Sequence, residues 1–237
     1  MLFRSVVRCP LAGCNGTSPV VLASDIVAPR GIDVDAGSIY WLSSPEPPDD
    51  GGGPMTRVFK CPKQGCNGAD PTLLLEIPIQ NQAHDVVVRA GLLYYAAWPW
   101  FGSCPTSGCL QSGRIDFGGR PAVSVATDST FLYVSEFGQS QISRCALPDC
   151  TNGVVLATGL GVLGLAVDSS HIYFAVNDSY EPTTDNAYIG RCALAGCGSD
   201  LPEMIVAEDV SPYAIAADDA RIYYTNFVHG TVVSRPK

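Results

Sequence analysis

A segment of eleven residues recurs five times along this chain, and its copies align without gaps. Each copy joins two short apolar runs through a polar turn, with a tyrosine at the same place near its end. The copies are GIDVDAGSIYW (31–41), DVVVRAGLLYY (85–95), SVATDSTFLYV (124–134), GLAVDSSHIYF (164–174) and AIAADDARIYY (214–224). The tyrosines lie 54, 39, 40 and 50 residues apart. Such a period predicts a fold built from repeated supersecondary units.

The apolar runs predict β-strands that are covered on both faces, because they are nearly continuous instead of alternating. A third run that ends in a cysteine and a fourth apolar run follow most copies, as in RVFKC and LLLEI. Each repeat therefore predicts a four-stranded antiparallel sheet, and stacked sheets of this kind form the blades of a β-propeller. The predicted fold class is all-β, a β-propeller of four-stranded antiparallel blades with five full repeats plus a half. Five or six blades both remain open.

We interpret residues 1–237 as a single propeller domain. Its repeat units lie near 31–77, 85–117, 124–157, 164–207 and 214–236, and 1–25 form a closing half-blade. We expect Pro19–Ala23 to lie beside the strands of the last unit, since propellers close by pairing both chain ends in one blade. The chain then contains one more copy of the third strand than five blades need, which predicts that a half-blade upstream of it has been lost. The second unit departs from the pattern and shows no clear third strand after Tyr95.

The ten cysteines form five pairs with one spacing, C-x4-C. The pairs are Cys9/Cys14, Cys61/Cys66, Cys104/Cys109, Cys145/Cys150 and Cys192/Cys197. An even number at a repeated spacing indicates disulfides and an oxidising compartment. Zinc is the alternative, but a closed zinc site needs four ligands together, and the repeat places the pairs on separate blades. We expect five local disulfides between third and fourth strands, each worth about 2 kcal/mol through loop-closure entropy.

Composition excludes two classes of partner. The net charge is −9 with 14 Lys and Arg residues, and no basic stripe exists to hold a nucleic acid. No apolar run approaches the 18 or so residues of a membrane span. The segment MLFRSVVRCP does not have the pattern of a signal peptide. We expect a secreted, periplasmic or cell-surface location, with the signal segment absent from this chain.

An aspartate five residues before the tyrosine recurs in four copies, as Asp35, Asp128, Asp168 and Asp218, whereas the second copy has Arg89. Short polar residues before Gly or Ser commonly accept hydrogen bonds from the backbone of a turn. We interpret these aspartates as turn residues and not as catalytic ones.

At the tyrosine positions the chain resembles propellers of the YWTD, NHL and TolB-like kind, through YWLS (40–43), YVSE (133–136) and YYTN (223–226). It looks most like the cysteine-stapled variant of secreted or lipid-anchored bacterial proteins of unassigned function. The resemblance covers nearly the whole chain and carries no catalytic residues. It implies binding of proteins, peptides or glycans, which most such propellers perform, while a minority are lactonases or similar hydrolases.

The loops that join strand four to strand one, and strand two to strand three, emerge on one face of a propeller, where such folds usually place their sites. The predicted ligand-binding residues on this face are Arg30, His84, Trp98, Trp100, Tyr180 and Tyr213. Exposed aromatic rings beside Arg and His are typical of a glycan or peptide surface. Alternatively, the tryptophans only cover the shortened second blade.

Two carboxylates, Asp33 and Asp85, lie within the first strands of neighbouring units and share a strand face. They are candidate ligands for a channel cation such as Ca²⁺. The other units offer Ser124, Gly164 and Ala214 at this height, which is a poor catalytic set.

We therefore predict an extracytoplasmic, non-enzymatic binding or scaffold propeller, without a cofactor, that recognises a protein, peptide or glycan on its loop face. One alternative is a metal-assisted, lactonase-like hydrolase centred on Asp33 and Asp85. The other is a purely structural repeat of a larger surface protein.

Overall fold

The computed structural model describes residues 5–14, 18–43, 55–78, 83–98, 101–110, 112–117, 121–177, 187–198, 201–207 and 211–237. These residues form β-strands and one short 3-10 turn, Phe137–Gln139. Within this part of the chain, no helix is long and apolar enough to span a membrane.

The strands in chain order are β1 (Val6–Arg8), β2 (Val20–Ala23), β3 (Pro29–Val34), β4 (Ser38–Ser43), β5 (Met55–Pro62), β6 (Thr72–Pro78), β7 (Ala83–Arg89), β8 (Leu92–Ala97), β9 (Phe101–Pro105), β10 (Ile115–Asp116), β11 (Ser124–Thr127), β12 (Phe131–Glu136), β13 (Gln141–Ala146), β14 (Thr151–Thr158), β15 (Val162–Val167), β16 (His171–Val176), β17 (Tyr188–Ala193), β18 (Glu203–Val206), β19 (Pro212–Ala217), β20 (Arg221–Asn226) and β21 (Thr231–Pro236).

The chain divides into two compact units, Met1–Trp98 with Gly102–Asp116, and Pro99–Phe101 with Phe117–Lys237. In the first unit the sheets are β1-β2, β3-β4-β5-β6 and β7-β8-β9-β10. In the second unit they are β11-β12-β13-β14, β15-β16-β17-β18 and β19-β20-β21. Every pairing is antiparallel between strands that follow one another in the chain. The predicted all-β propeller of four-stranded blades is confirmed, while the single-domain interpretation and its unit bounds stay predictions.

The register repeats from sheet to sheet. Tyr133 lies opposite Ala126 on one side and Arg144 on the other, and Tyr173 lies in the same way between Ala166 and Arg191. The gapless alignment of the repeats therefore describes real structural equivalence. A buried core between successive sheets follows from it, in which Tyr173 and Ile189 of one sheet pack with Tyr224 of the next.

The second blade does have a third strand, and the expectation that it lacks a clear one was wrong. Strand β9 pairs with the two-residue strand β10, with Ser103 opposite Ile115. The sequence did not indicate this strand because FGSCP contains few of the apolar residues that mark the other strands. Gly102 explains this composition, since a Cβ there would lie 2.6 Å from the Tyr95 hydroxyl and would also meet the Ile115 carbonyl.

The terminal hairpin β1-β2 packs on the first blade. Val6 and Leu22 share a buried cluster with Ile39 and Trp41 of β4. Among the described strands, β2 pairs with β1, and the sheet β19-β20-β21 has three strands. The closing role expected for residues 1–25 beside the last unit stays a prediction.

All five predicted disulfides are present, with Cα–Cα distances between 4.7 and 5.8 Å. The bonds are Cys9–Cys14, Cys61–Cys66, Cys104–Cys109, Cys145–Cys150 and Cys192–Cys197. Three of the loops also bind the preceding sheet, which the sequence did not indicate. The Cys66 N–H donates to the Leu22 carbonyl at 2.8 Å, the Cys109 N–H to Leu74 at 2.8 Å and the Cys197 N–H to Leu156 at 3.1 Å.

Cys14 and Cys150 differ from these three second cysteines, although all five pairs share the C-x4-C spacing. The bond from Cys14 to Cys9 closes the turn after β1, which belongs to the two-stranded sheet β1-β2 and not to a described four-stranded blade. Cys150 has a φ of 51°, in the left-handed region that residues other than glycine rarely adopt, and it directly precedes β14. The pairing prediction is therefore confirmed for both cysteines, whose surroundings differ from those of the other three.

The repeated aspartates are turn residues, as predicted. Asp128 Oδ1 accepts the backbone N–H groups of Thr130 and Phe131 at 2.6 and 2.7 Å. The second carboxylate oxygen, Oδ2, accepts the hydroxyl of the repeat tyrosine Tyr133 at 2.7 Å. The same tyrosine-to-aspartate bond occurs at 2.6 Å for Tyr40 and Asp35, 2.9 Å for Tyr173 and Asp168, and 2.7 Å for Tyr223 and Asp218. The two recurring positions of the repeat are thus one hydrogen-bonded unit that joins the first strand to the second.

Candidate functional site

Three of the predicted loop-face residues hold one structural place, the second residue of a blade's first strand. They are Arg30 in β3, His84 in β7 and Tyr213 in β19. Arg30 and His84 belong to the first unit and Tyr213 to the second. Trp98 directly follows β8 in the first unit, whereas Trp100 and Tyr180 lie outside the described residues.

A close backbone approach brings β3 against β7. A Cβ on Gly31 would lie 2.5 Å from the Cα of Asp85 and 2.9 Å from the backbone nitrogen of Val86. Any residue other than glycine at position 31 would therefore push the two strands apart. Two residues further along β3, Asp33 Oδ2 accepts the Val88 N–H at 2.6 Å and joins the two sheets directly.

This approach places Arg30 beside His84. Burial, together with the positive charge of Arg30, lowers the pKa of His84 from its ordinary 6.5 to about 4. At neutral pH the site therefore combines a guanidinium with an uncharged imidazole. A neutral imidazole can both donate and accept a hydrogen bond.

Trp98 completes this end of the first unit. Ala97 lies opposite Ala83 in the antiparallel β7–β8 ladder, so Trp98 directly follows β8 at the end where β7 begins. Both side chains are half-buried. We call Arg30, His84 and Trp98 the loop-end site. The arrangement offers donors, an aromatic ring and partial burial, which suits recognition of a polar group attached to an apolar surface.

The two candidate cation ligands lie just below the loop-end site. Burial raises the pKa of Asp33, opposed by the hydrogen bonds from the Val88 and Val34 backbone. Asp85 Oδ1 accepts the N–H of Val86 at 2.8 Å. Among the residues that the structure describes, no group of three or more His, Cys, Asp or Glu side chains could hold a metal ion. Asp33 thus bonds across the β3–β7 contact and Asp85 lies at that contact, and a cation at this place stays a prediction.

The cysteines form a separate set of structural residues and take no part in the loop-end site. Every one of the ten is in a disulfide, including Cys14 and Cys150 in their atypical loops, so none offers a free thiol as nucleophile or ligand. The sequence assigned them this structural role, and the five bonds confirm it.

Sequence reasoning missed a set of buried polar residues at the end of the second strands. Ser43, Glu136 and Asn226 are the fourth residues of YWLS, YVSE and YYTN, and each is at most 6% exposed. Ser43 donates its hydroxyl to the Val27 carbonyl at 2.5 Å, and Asn226 accepts the Ser211 N–H at 3.3 Å. Both bonds hold the segment that enters the first strand. The signal was available, because the resemblance to the tyrosine repeat rests on the same four-residue segments.

The His84 environment gives a pH prediction. A histidine whose pKa falls on folding contributes stability that is complete above its unfolded pKa of 6.5 and is lost as the pH falls toward 4. We expect the wild type to lose about 2 kcal/mol more than His84→Gln in free energy of unfolding between pH 7 and pH 5. Guanidinium unfolding of both proteins at both pH values measures this difference. Equal losses would show that His84 is not held neutral by its surroundings.

The fold and the stapled blades define the class: this is a disulfide-containing β-propeller. A chain from the crystal structure of a nidogen/laminin complex shares the fold with a TM-score of 0.75 at 16% identity, over 99% of this chain and 86% of that one. Streptogramin B lyase shares it with a TM-score of 0.61 at 12% identity, over 89% of this chain and 69% of the lyase chain. No family model and no curated protein matches the sequence. The resemblance to propellers is confirmed at the level of the fold.

Proposed function

We propose that this protein is an extracytoplasmic, non-enzymatic binding propeller that recognises a protein partner through the loop-end site. The observation that carries the proposal is the Arg30 guanidinium beside the neutral His84 imidazole. Trp98 directly follows β8, the strand that pairs with the one containing His84. Arginine and tryptophan are enriched among the residues that dominate binding energy at protein interfaces.

The scaffold supports this proposal. Five disulfides fit an oxidising environment outside the cytoplasm. They also stiffen the blades that carry the loops, and a rigid scaffold lowers the entropic cost of binding. The structural neighbour from the nidogen/laminin complex is a chain of the same fold found in a protein assembly.

The second candidate is an enzyme, the metal-assisted hydrolase; the other structural neighbour, which is named as a lyase, is an enzyme of another reaction class on the same fold. It would use Asp33 and Asp85, whose carboxylates lie at the contact between β3 and β7. We place it second because Asp33 Oδ2 already accepts the Val88 N–H that links the sheets.

A displayed peptide library tests the binding proposal. Peptides are selected on the immobilised wild type, and their dissociation constants are then measured against Arg30→Ala and Trp98→Ala. We expect both substitutions to weaken binding at least about tenfold, as for side chains at the centre of an interface. Phe227→Ala is the matched control, because Phe227 is 61% exposed and lies in the other unit.

Two outcomes would contradict the proposal. Peptides that bind Arg30→Ala and Trp98→Ala as tightly as the wild type would place recognition elsewhere. Calcium-dependent hydrolysis of a lactone panel that is lost in Asp33→Asn would make the enzyme the correct function. A glycan array run in parallel corrects the ligand class if sugars bind and peptides do not.

A further inference from the structure

A cavity of about 510 Å³ lies in the first unit, and its described lining includes none of the three residues of the loop-end site. Its floor is the first blade, through Trp41 of β4 and Phe59 of β5. Its walls are residues 21–27, which include the end of β2 and the segment toward β3, and residues 66–71, which lead from a disulfide toward β6. The volume falls within the range of small-molecule sites, and loops on a rigid floor are where such sites usually occur.

The floor of the cavity contains an aromatic pair. The rings of Trp41 and Phe59 stack with centroids 5.9 Å apart and an interplanar angle of 27°. Trp41 is fully buried, and Phe59 is half-buried and packs against the same cluster. Leu22 and Ile26 add apolar surface from the wall. A flat apolar group therefore fits against this floor, where Phe59 supplies the exposed part of the aromatic pair.

Trp41 also carries a hydrogen-bond donor that the described residues do not satisfy. Its Nε1 is buried and finds no acceptor among them. At the aligned position of the next blade, the Tyr95 hydroxyl donates to Asp116 Oδ1 at 2.8 Å. Buried indole N–H groups usually have a partner. The contrast between the two blades leaves the Trp41 indole as a buried donor at the edge of the cavity, without an acceptor among the described residues.

Arg57 supplies further donors at the same cavity. Its Nε donates to Glu76 Oε1 at 2.7 Å, and its side chain is 41% exposed. A guanidinium has five N–H donors in a fixed fork, so one bond to Glu76 leaves others directed elsewhere. Ser43, which also lines the cavity, has its hydroxyl proton engaged by the Val27 carbonyl. Donors thus accompany the apolar floor.

We infer that this cavity is a binding site for a small ligand that joins a flat apolar ring to a hydrogen-bond-accepting head, such as a carboxylate or an amide carbonyl. The ring packs on the Trp41–Phe59 floor, and the head accepts from the Trp41 indole and the Arg57 guanidinium. The described lining of the cavity shares no residue with the loop-end site, so the inference does not depend on the proposed function.

The chain has three tryptophans, which permits a direct test. The double variant Trp98→Phe, Trp100→Phe leaves Trp41 as the single reporter, by fluorescence and by the NMR signal of its indole N–H. The probes are benzoate, benzamide and benzylamine, which share a ring and differ in the head. We expect benzoate and benzamide to shift the Trp41 indole N–H signal in a saturable manner, with dissociation constants on the order of 1 mM. Benzylamine, which brings a cation, should bind at least tenfold more weakly.

Two variants complete the test. Trp41→Phe keeps a ring and removes the donor, and calorimetry should show at least a fivefold loss of benzoate affinity. Ala69→Leu fills the cavity from an exposed loop and leaves the buried floor unchanged, so it reports on the site even if Trp41→Phe fails to fold. We expect it to abolish the benzamide shift.

Three results would overturn the inference. The first is the absence of any saturable shift with benzoate and benzamide. The second is benzylamine binding as tightly as benzoate, which would make Asp25 and Asp70, the two aspartates that also line the cavity, the recognition element. The third is unchanged affinity in Ala69→Leu, which would place the probes outside this cavity.

Discussion

Reduction of the five disulfides is expected to unfold the protein at 25 °C and neutral pH. Each bond joins cysteines with a sequence separation of 5, so each closes a small loop worth about 2 kcal/mol. Together they contribute roughly 10 kcal/mol, which is comparable to the whole stability of a typical domain, about 5 to 15 kcal/mol. Some loops also hold sheet to sheet, as the Cys197 N–H does at the Leu156 carbonyl.

The measurement is circular dichroism in a urea titration, before and after reduction and alkylation. We expect the untreated protein to show a cooperative transition and the reduced protein to show none. Alkylation without reductant is the control and should leave the midpoint unchanged, because all ten cysteines are paired. A reduced protein with the native spectrum and midpoint would show that packing alone maintains the blades.

The strands and the disulfides were predictable because they follow from local pattern. Apolar runs, turn residues and the C-x4-C spacing act over a few residues, and the printed sequence contains that information. The turn role of Asp128 is of this kind. The bond from Tyr133 to the same carboxylate was visible as a fixed spacing of five residues, but its meaning needed the antiparallel register.

The surroundings of the disulfides were less predictable than their pairing. Cys14 and Cys150 have the same spacing to their partners as Cys66 has to Cys61. Spacing fixes which sulfurs can meet, because it limits the loop to four intervening residues. It does not fix the sheet to which the loop belongs or the backbone conformation of its last residue, and these are where Cys14 and Cys150 depart from the others.

The contacts between sheets were not predictable, because the two partners are far apart in sequence. Lys60 donates to the Thr106 carbonyl at 3.4 Å, and Arg144 donates to the Leu194 carbonyl at 2.7 Å. In each case the basic residue directly precedes the first cysteine of one sheet, and the accepting carbonyl belongs to the residue two places after the first cysteine of the next sheet. The recurring Lys or Arg directly before the cysteine in RVFKC and QISRC was the only sequence signal for this link.

The candidate site was predictable in part. Alignment of the repeats gave Arg30 and His84 one structural place, and the structure brings them together. What the alignment could not give is the reason, which is the backbone contact that Gly31 permits. The cavity at Trp41 had no sequence signal, because it depends on the path of residues 21–27 across the first blade.

One position of the repeat has different environments in different blades. Val58, Ile142, Ile189 and Val232 each lie opposite the residue two places after the repeat tyrosine. The first three are at most 1% exposed, and Val232 is 75% exposed. Ile189 shows what covers this position, since it packs with Val206 of its own fourth strand and with Tyr224 of the next sheet. The sheet that contains Val232 ends at β21, with no fourth strand among the described residues.

The same substitution at two equivalent valines should therefore have unequal effects. Val58→Ala removes two methyl groups from a closed core and should cost about 2 to 3 kcal/mol in free energy of unfolding, through lost burial and the cavity left behind. Val232→Ala removes them from the surface and should cost less than about 0.5 kcal/mol. Thermal unfolding should show a fall of roughly 5 to 10 °C for the first and almost none for the second.

Ile189→Ala is the control for the role of the position itself and should resemble Val58→Ala, because Ile189 is fully buried. Equal losses for Val58→Ala and Val232→Ala would contradict the prediction, since they would require the outer face of β21 to be covered in solution. Deletion of residues 1–25 in the Val232→Ala background then separates the causes. If the hairpin β1-β2 closes against the last sheet, the deletion removes the cover and the substitution becomes neutral. If something else covers Val232, its cost persists after the deletion.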